Sequence, residues 1–458
     1  MNRKDIAERV RSLLDRPDPS SFDALVRSAP AADVAEALRD GTSEQVARLL
    51  ATAPAQFQAR LFVALPDPDQ DRVLATMTPA TAGALIRALP SDERADLYNR
   101  LDADGRRRVM PSLAQAERDD MLRLARYREG TAGAAATSQF ATVGAEDTVE
   151  EALRTLRGAG PDAETIYVVY VLDEKDRLQG TVSLRDLVLA QAHTPVAKLL
   201  RPDPITVRTE DPDEKAAAYI RRYDLLAVPV INGDDRMIGI VTVDDAMDID
   251  HEQDATQLAR YGGTTSLGGP DLDLRESPFR RIFGVRLFWL AILTLFGLVT
   301  STFVANQEEM LSEIVILAAF IAPIVDMGGN TGSQAATLVI RSMALGQLRL
   351  RWKDVGFVVR REIAVALALG GCIALLEVVL AYFAKGGLEP GVLATVGLSM
   401  LVCTALGGII GATLPFAARR IGTDPATLSS PLITSIMDLL GVFVYFGLAY
   451  VFLGHLLV

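Results

Sequence analysis

The sequence predicts a multidomain membrane protein: an N-terminal all-α superhelical solenoid, a tandem α/β pair, a connecting helix, and an all-α domain of five transmembrane helices. Three observations predict it: five long apolar stretches in the C-terminal part, turn-type punctuation every 12 residues from Ala29 to Leu113, and a repeat offset by 59 residues within 139–254. The parts are expected at 1–138 for the solenoid, 139–196 and 197–254 for the two α/β halves, 255–278 for the connecting helix and linker, and 279–458 for the spans.

Charge separates the same parts. Residues 279–458 hold 12 Lys+Arg and 10 Asp+Glu, which leaves 34 and 48 to residues 1–278, so the net charge of −12 belongs to the soluble part. Phosphate recognition needs a basic face, so an acidic half of this kind argues against a nucleic-acid partner and for cations as counter-ligands. Cys372 and Cys403 both fall in apolar segments and suggest neither a disulfide framework nor a thiolate metal cluster. Met1 to Asp15 is polar and charged, unlike a cleavable signal peptide, so export of the soluble part is not expected.

The spans are placed near 282–305, 312–340, 357–383, 391–416 and 431–456, each long enough for a hydrocarbon core of about 30 Å. Basic residues flank alternate ends: Arg280, Arg281 and Arg286 before the first span, Arg341 to Arg361 between the second and third, Arg419 and Arg420 between the fourth and fifth. By the positive-inside rule the N-terminal part is cytoplasmic and the C-terminus lies outside, in a bacterial-type inner membrane whose lipid is the surrounding partner.

An anchor would need one apolar span, whereas these five contain Asp326, Glu377 and Asp438. Intramembrane carboxylates cost on the order of 2.5 kcal/mol or more, so they face water or a partner. Thr434, Asp438, Gly441 and Tyr445 recur at helical spacing on one face of the last span, which makes Asp438 and Thr434 candidate ion-binding residues. Glu377 stands alone among leucines and valines, a poorer pore candidate. In the second span, Pro323 and the run from Asp326 through Asn330 to Gln334 predict a weakened or broken helix with oxygen-rich walls. Such walls suit a hard divalent cation, above all Mg²⁺, which is held largely through its waters by one or two carboxylates.

The period of 12 reads as a solenoid of short helices. Thr78-Pro79 and Ser91-Asp92 are read as helix starts, a hydroxyl capping the free amides and proline or an acid following in the first turn. Ordinary capping accounts for most of the acids there.

In the tandem pair, Val168–Leu172 and Val228–Ile231 read as buried strands, each followed by a second strand, and amphipathic helices start near Thr148 and Asp211. Gly180 and Gly239, Ser183 and Thr242, and Asp186 and Asp245 are each 59 apart. A strand, a hydroxyl and an aspartate that opens a helix resemble the paired cystathionine-β-synthase (CBS) module. The resemblance implies an adenine nucleotide such as ATP, with ribose contacts at Thr242 and Asp245 and more loosely at Ser183 and Asp186; helix capping by the same side chains is the competing reading. No Walker-type glycine loop or nucleophile–base set is legible, and His193, His251 and His455 are scattered, so an enzyme is not expected. Asp244, Asp245, Asp248, Asp250, Glu252 and Asp254 lie within eleven residues before the membrane part. A divalent cation would relieve their mutual repulsion, against the alternative of a solvated acidic face.

Residues 327–341, from Met327-Gly328-Gly329-Asn330-Thr331-Gly332 to Arg341, and Asp424-Pro425-Ala426 through Ser430-Pro431 to Asp438 carry a further resemblance. With an acidic solenoid, a CBS pair and five spans in this order, the chain resembles the MgtE family of magnesium channels over essentially its whole length. The resemblance implies a homodimer with the pore between subunits, Asp438 holding hydrated Mg²⁺, Asn330 lining the path, and closure by a connecting helix when cytoplasmic Mg²⁺ bridges the acidic domains. Two places depart from the family pattern: Gln257-Leu258 replaces two acids after Ala255-Thr256, and Ala134-Ala135-Ala136 replaces a bulky apolar pair. A coupled exchanger, a carrier of Co²⁺, Ni²⁺ or Mn²⁺, and a non-conducting Mg²⁺ or nucleotide sensor remain the alternatives.

Overall fold

A computed structural model describes residues 2–160, 163–262, 264, 272, 274, 277–384, 388–423, 425 and 430–456. The chain divides into two compact units, Met1–Glu252 and Gln253–Val458.

The first unit starts with ten short helices: α1 (Arg3–Asp15), α2 (Pro19–Ser28), α3 (Ala31–Leu38), α4 (Ser43–Leu50), α5 (Ala55–Val63), α6 (Asp67–Thr76), α7 (Pro79–Ala88), α8 (Ser91–Arg100), α9 (Ala103–Val109) and α10 (Gln115–Leu124). From α3 onward every helix starts 12 residues after the last, the period of the punctuation. Thr42, Thr78 and Asp102 cap α4, α7 and α9 by accepting backbone amides. One expected cap is absent. Pro90 holds the cap position of α8, and the Ser91 hydroxyl instead bonds Thr137 Oγ1 at 2.9 Å and accepts the Ser138 amide at 2.8 Å. Ser91 thus fastens the solenoid to the segment that enters the α/β pair.

That pair forms two sheets. The first orders β1 (Phe140–Val143), β2 (Thr165–Leu172), β3 (Leu178–Ser183) and β4 (Arg201–Pro202), with α11 (Val149–Ala159) and α12 (Leu184–Leu189) beside it. The second orders β5 (Val207–Arg208), β6 (Ala227–Ile231) and β7 (Met237–Thr242), with α13 (Asp213–Tyr223). In both, a parallel pair is followed by an antiparallel one, and Gly180 and Gly239 sit opposite Val171 and Val230. The repeated glycine has a steric cause: a Cβ on Gly180 would stand 2.5 Å from the Arg201 carbonyl oxygen, and one on Gly239 would run into that of Thr137. Asp176 and Asp235, again 59 apart, both take φ of 60° in the hairpin turns, a left-handed conformation that Asp tolerates. Ala132 and Ala136 are fully buried against the second sheet's core, where larger side chains would not fit without displacement.

Helix α14 (Val243–Tyr261) carries the chain from one unit into the other. The second unit contains α15 (Phe279–Ala305), α16 (Glu308–Glu313), α17 (Ala318–Ala344), α18 (Trp352–Ala384), α19 (Pro390–Arg420) and α20 (Ser430–Leu453). Five of these, all but α16, are long and apolar enough to cross a membrane. With its core of α17, α19 and α20, this is the unit of a multi-pass membrane protein.

The expected break in the second span does not occur. Helix α17 is continuous through Pro323 and the glycines. Its glycines serve contact instead: a Cβ on Gly407 or Gly411 would collide with the carbonyl oxygen of Gly328 or Gly332, so α17 and α19 cross backbone to backbone. Small residues allow this approach, which apolar lipid tails would not otherwise drive.

Candidate functional site

On α17, Asp326, Asn330, Ser333 and Thr337 fall at successive helical spacings, a polar stripe on a membrane-crossing helix. Asp326 and Asn330 are exposed in the single chain, while Gly329 beside them and Gly332 and Gly328 further round the helix are buried. Helix α20 lies directly alongside. Its Thr434 occupies the space beside Gly329, with Thr434 Cα 3.3 Å from where a Cβ would stand, and Asp438, one turn on, is close enough to Asp326 for the two carboxylates to repel. The Ser430 hydroxyl bonds Ser333 Oγ at 2.8 Å. Asp326, Asn330, Thr434 and Asp438 are therefore brought to one region between α17 and α20.

The predicted stripe on the last span is divided by the fold. Gly441 packs against Val325 and the Cys403 sulfur, and the buried Tyr445 hydroxyl donates to the Leu317 carbonyl at 2.9 Å. Those two residues pack against neighbouring helices, so of the predicted stripe only Thr434 and Asp438 stay beside α17's polar residues. Glu377 on α18 is joined to none of these groups, whereas Glu362, unremarked in the sequence, reaches the glycines of α19, its Oε1 2.9 Å from where a Gly408 Cβ would stand. Of the second segment that carries the family resemblance, Asp424 and residues 426–429 lie outside the described residues.

The polar stripe of α17 has a partner at its far end. The Tyr261 hydroxyl, on the last residue of α14, lies 2.6 Å from Thr337 Oγ1 and 3.1 Å from the Ser333 carbonyl oxygen. Gln257 and Leu258 precede it by one turn on the same helix.

The acids of the first unit form a second site. Asp92, Glu93 and Asp96 stand on α8, Asp245 opens α14, and Glu164 precedes β2. Burial and then Glu164 push the Asp92 carboxyl up; burial and then Asp92 do the same to Asp245. Glu93 is pushed up to about 8 by burial, then by Asp92, Asp96 and Asp245, while Asp96 itself is exposed. Asp92 Oδ1 is buried without a hydrogen-bond partner among the described residues. Among those residues no three acidic, imidazole or thiol side chains are already drawn together as a metal site. The group is thus a set of mutually repelling carboxylates with an acceptor to spare, suited to a hydrated divalent cation that would draw them closer.

Sequence reasoning missed Asp92, Glu93 and Asp96 because the first two also read as first-turn acids complementing a helix dipole and the third as a solvated acid one turn on. The signal available was their density, three acids in five residues of one helix start. Of the acids predicted beyond Asp245, Asp248, Glu252 and Asp254 are exposed on α14, and Asp250 pairs with Arg221. At the proposed nucleotide positions the side chains are engaged within the chain: Thr242 Oγ1 donates to Asp245 Oδ2 at 2.6 Å, Ser183 Oγ accepts the Asp186 backbone amide at 3.0 Å, and the Asp186 carboxylate pairs with Arg201 at 3.0 Å.

Comparison with known proteins agrees with this arrangement. The MgtE divalent cation transporter profile matches residues 321–448, the MgtE intracellular N domain 29–130, and the CBS domain 132–193 and 196–252. A magnesium transporter MgtE of Thermus thermophilus is 39% identical over 343 residues, covering 75% of this chain and 74% of its own. The chain belongs to the MgtE family of magnesium transporters. Another MgtE, of Bacillus subtilis, is 26% identical over 449 residues, covering 97% of this chain and 94% of its own. The crystal structure of the soluble part of a magnesium transporter is similar at TM-score 0.52 and 30% identity, over 55% of this chain and 99% of that one. As an MgtE family member the chain joins a helical N domain and a CBS pair to a multi-pass membrane domain.

Proposed function

We propose that the chain is a Mg²⁺-selective channel of the inner membrane that passes the hydrated ion down its gradient and closes when cytoplasmic Mg²⁺ is high. The observation that supports it most is the gathering of Asp438, Thr434, Asp326 and Asn330 between α17 and α20. Asp438 attracts the hydrated cation without taking its waters, and the hydroxyl and amide accept or donate to those waters. Asp326 and Asn330 are exposed in one chain, and polar groups at membrane depth call for a partner or a water path. A homodimer with the path at its interface meets that need. The basic flanks of the spans support a cytoplasmic N-terminus and an outer C-terminus.

Gating follows from the acids. Mg²⁺ at Asp92, Glu93, Asp96 and Asp245 neutralises their repulsion and fixes the start of α14, with Asp248, Asp250, Glu252 and Asp254 adding attraction along it. The end of the same helix holds Tyr261 on the polar stripe of α17. An adenine nucleotide at the CBS pair, through Thr242 with Asp245 and Ser183 with Asp186, would first have to open the Thr242–Asp245 hydrogen bond and the Asp186–Arg201 ion pair.

The test is Mg²⁺ flux into liposomes holding the purified chain, with Mg²⁺ on the cytoplasmic side varied and Asp438→Asn run beside the unaltered protein. Flux that needs Asp438 and falls as that Mg²⁺ rises is expected. Undiminished flux through Asp438→Asn removes the proposed ion site, and flux indifferent to cytoplasmic Mg²⁺ removes the gate.

A further inference from the structure

Away from the ion path, the ends of α18 and α19 enclose a cavity of about 270 Å³ lined by Leu350, Arg351, Trp352, Val355, Thr413, Phe416, Ala417 and Arg420. Its lining is mostly apolar, with Arg351 and Arg420 the two charged residues on it; both are exposed, and the Arg420 guanidinium lies 5.1 Å over the Trp352 ring. Trp352 is 76% exposed, a large indole at the end of a membrane-crossing helix, where tryptophan favours the headgroup level. Val355, Thr413 and Phe416 continue from the mouth along the two helices toward the membrane interior.

The neighbouring charge in sequence is mostly positive: Arg349, Lys353 and Arg419 against Asp354, whose Oδ2 accepts the Arg349 amide at 2.9 Å. Neither Arg351 nor Arg420 is paired with a carboxylate among the described residues. Drug-sized ligands occupy pockets of roughly 300–1,000 Å³, so a smaller cavity with an apolar run leading off it fits the head end of a longer molecule.

We propose that this cavity is a site for an anionic phospholipid. The phosphate sits between the guanidiniums of Arg351 and Arg420, and one acyl chain lies against the exposed apolar surfaces of Leu350, Trp352 and Ala417. Guanidinium groups match phosphate oxygens bidentately, and basic pockets between membrane helices select anionic headgroups. The site would hold lipid at the edge of the bundle, on α18 and α19 and apart from Asp438.

The chain has two tryptophans, so Trp289→Phe leaves Trp352 as the sole indole reporter. The full-length variant is placed in phosphatidylcholine nanodiscs containing small fractions of brominated phosphatidylglycerol or brominated phosphatidylcholine, and quenching is compared. Half-maximal quenching is expected at an at least fivefold lower fraction of the anionic lipid, about fivefold being the contribution of one basic residue at a membrane surface. Adding Arg351→Gln and Arg420→Gln should bring the two lipids to equal quenching, while Arg286→Gln, which removes a charge from the first span's end, should leave the preference intact. Equal quenching in the Trp289→Phe protein overturns the site. So does a preference that survives the double substitution, or one that Arg286→Gln removes as fully, since either outcome means diffuse attraction to the leaflet.

Discussion

The Tyr261 hydroxyl lies 2.6 Å from Thr337 Oγ1, so the last residue of the acid-bearing helix α14 is hydrogen-bonded to the same face of α17 that carries Asp326 and Asn330. A phenol is a small handle, but it also reaches the Ser333 carbonyl, and Ser333 Oγ is in turn held by Ser430 at the start of α20. One residue thus touches the network that joins α17 to α20.

Tyr261→Phe removes these bonds and keeps the ring. A net hydrogen bond contributes about 1 kcal/mol, so loss of the tie should weaken the closed arrangement about fivefold. In liposomes the cytoplasmic Mg²⁺ needed for half-closure should rise by that factor with maximal flux unchanged. An unaltered set point would reduce Tyr261 to a structural contact.

The glycine contacts between α17 and α19 give a stability prediction. Gly411→Ala drives a methyl group into the Gly332 carbonyl, and overpacking of this kind costs typically 1–3 kcal/mol. Gly447→Ala on α20 meets no atom within 4 Å and should be neutral. Thermal unfolding in detergent should show a lower midpoint for the first variant only. Equal midpoints would mean that the helices separate at that crossing without cost.

What the sequence disclosed and what it concealed have physical causes. The helix starts of the solenoid were legible because a fixed period survives any packing, and the CBS pair because Gly180/Gly239 and Asp186/Asp245 keep one offset. The five spans follow from length and hydropathy alone. The continuity of α17 was not legible. A glycine run looks the same whether it opens a helix or lets another backbone in, and only Gly407 and Gly411 across the crossing decide. The acid group was hidden for a related reason: Asp92 and Asp245 are 153 positions apart, and only folding brings their charges together.

On the proposed path Asp326 on α17 and Asp438 on α20 offer a divalent cation two carboxylates from neighbouring helices. Asp326→Asn should raise the half-saturating Mg²⁺ for flux about tenfold, near 1.4 kcal/mol, and retain maximal flux, whereas Asp438→Asn should remove most flux. Flux measured against Mg²⁺ on the entry side separates the two. Identical losses in both variants would make the carboxylates one inseparable site.

The raised carboxyls of the first unit set a pH dependence whose sign is fixed. Acids raised by burial, such as Glu93 at about 8, hold protons at neutral pH that a free carboxyl has lost, and Mg²⁺ must displace them. Mg²⁺ binding should therefore release protons at pH 7 and tighten from pH 6 to 8. Without Mg²⁺ the folded unit binds more protons than the unfolded chain between roughly pH 4 and 8, so its stability should fall as pH rises through that window. Calorimetric titration at pH 7 in two buffers of different ionisation enthalpy counts the released protons. Asp92→Asn with Asp245→Asn should cut both the proton count and the affinity, because the amides carry no proton to lose and no charge to offer. Binding without proton release in the unaltered chain would place the regulatory ion on the exposed acids Asp248, Glu252 and Asp254 instead.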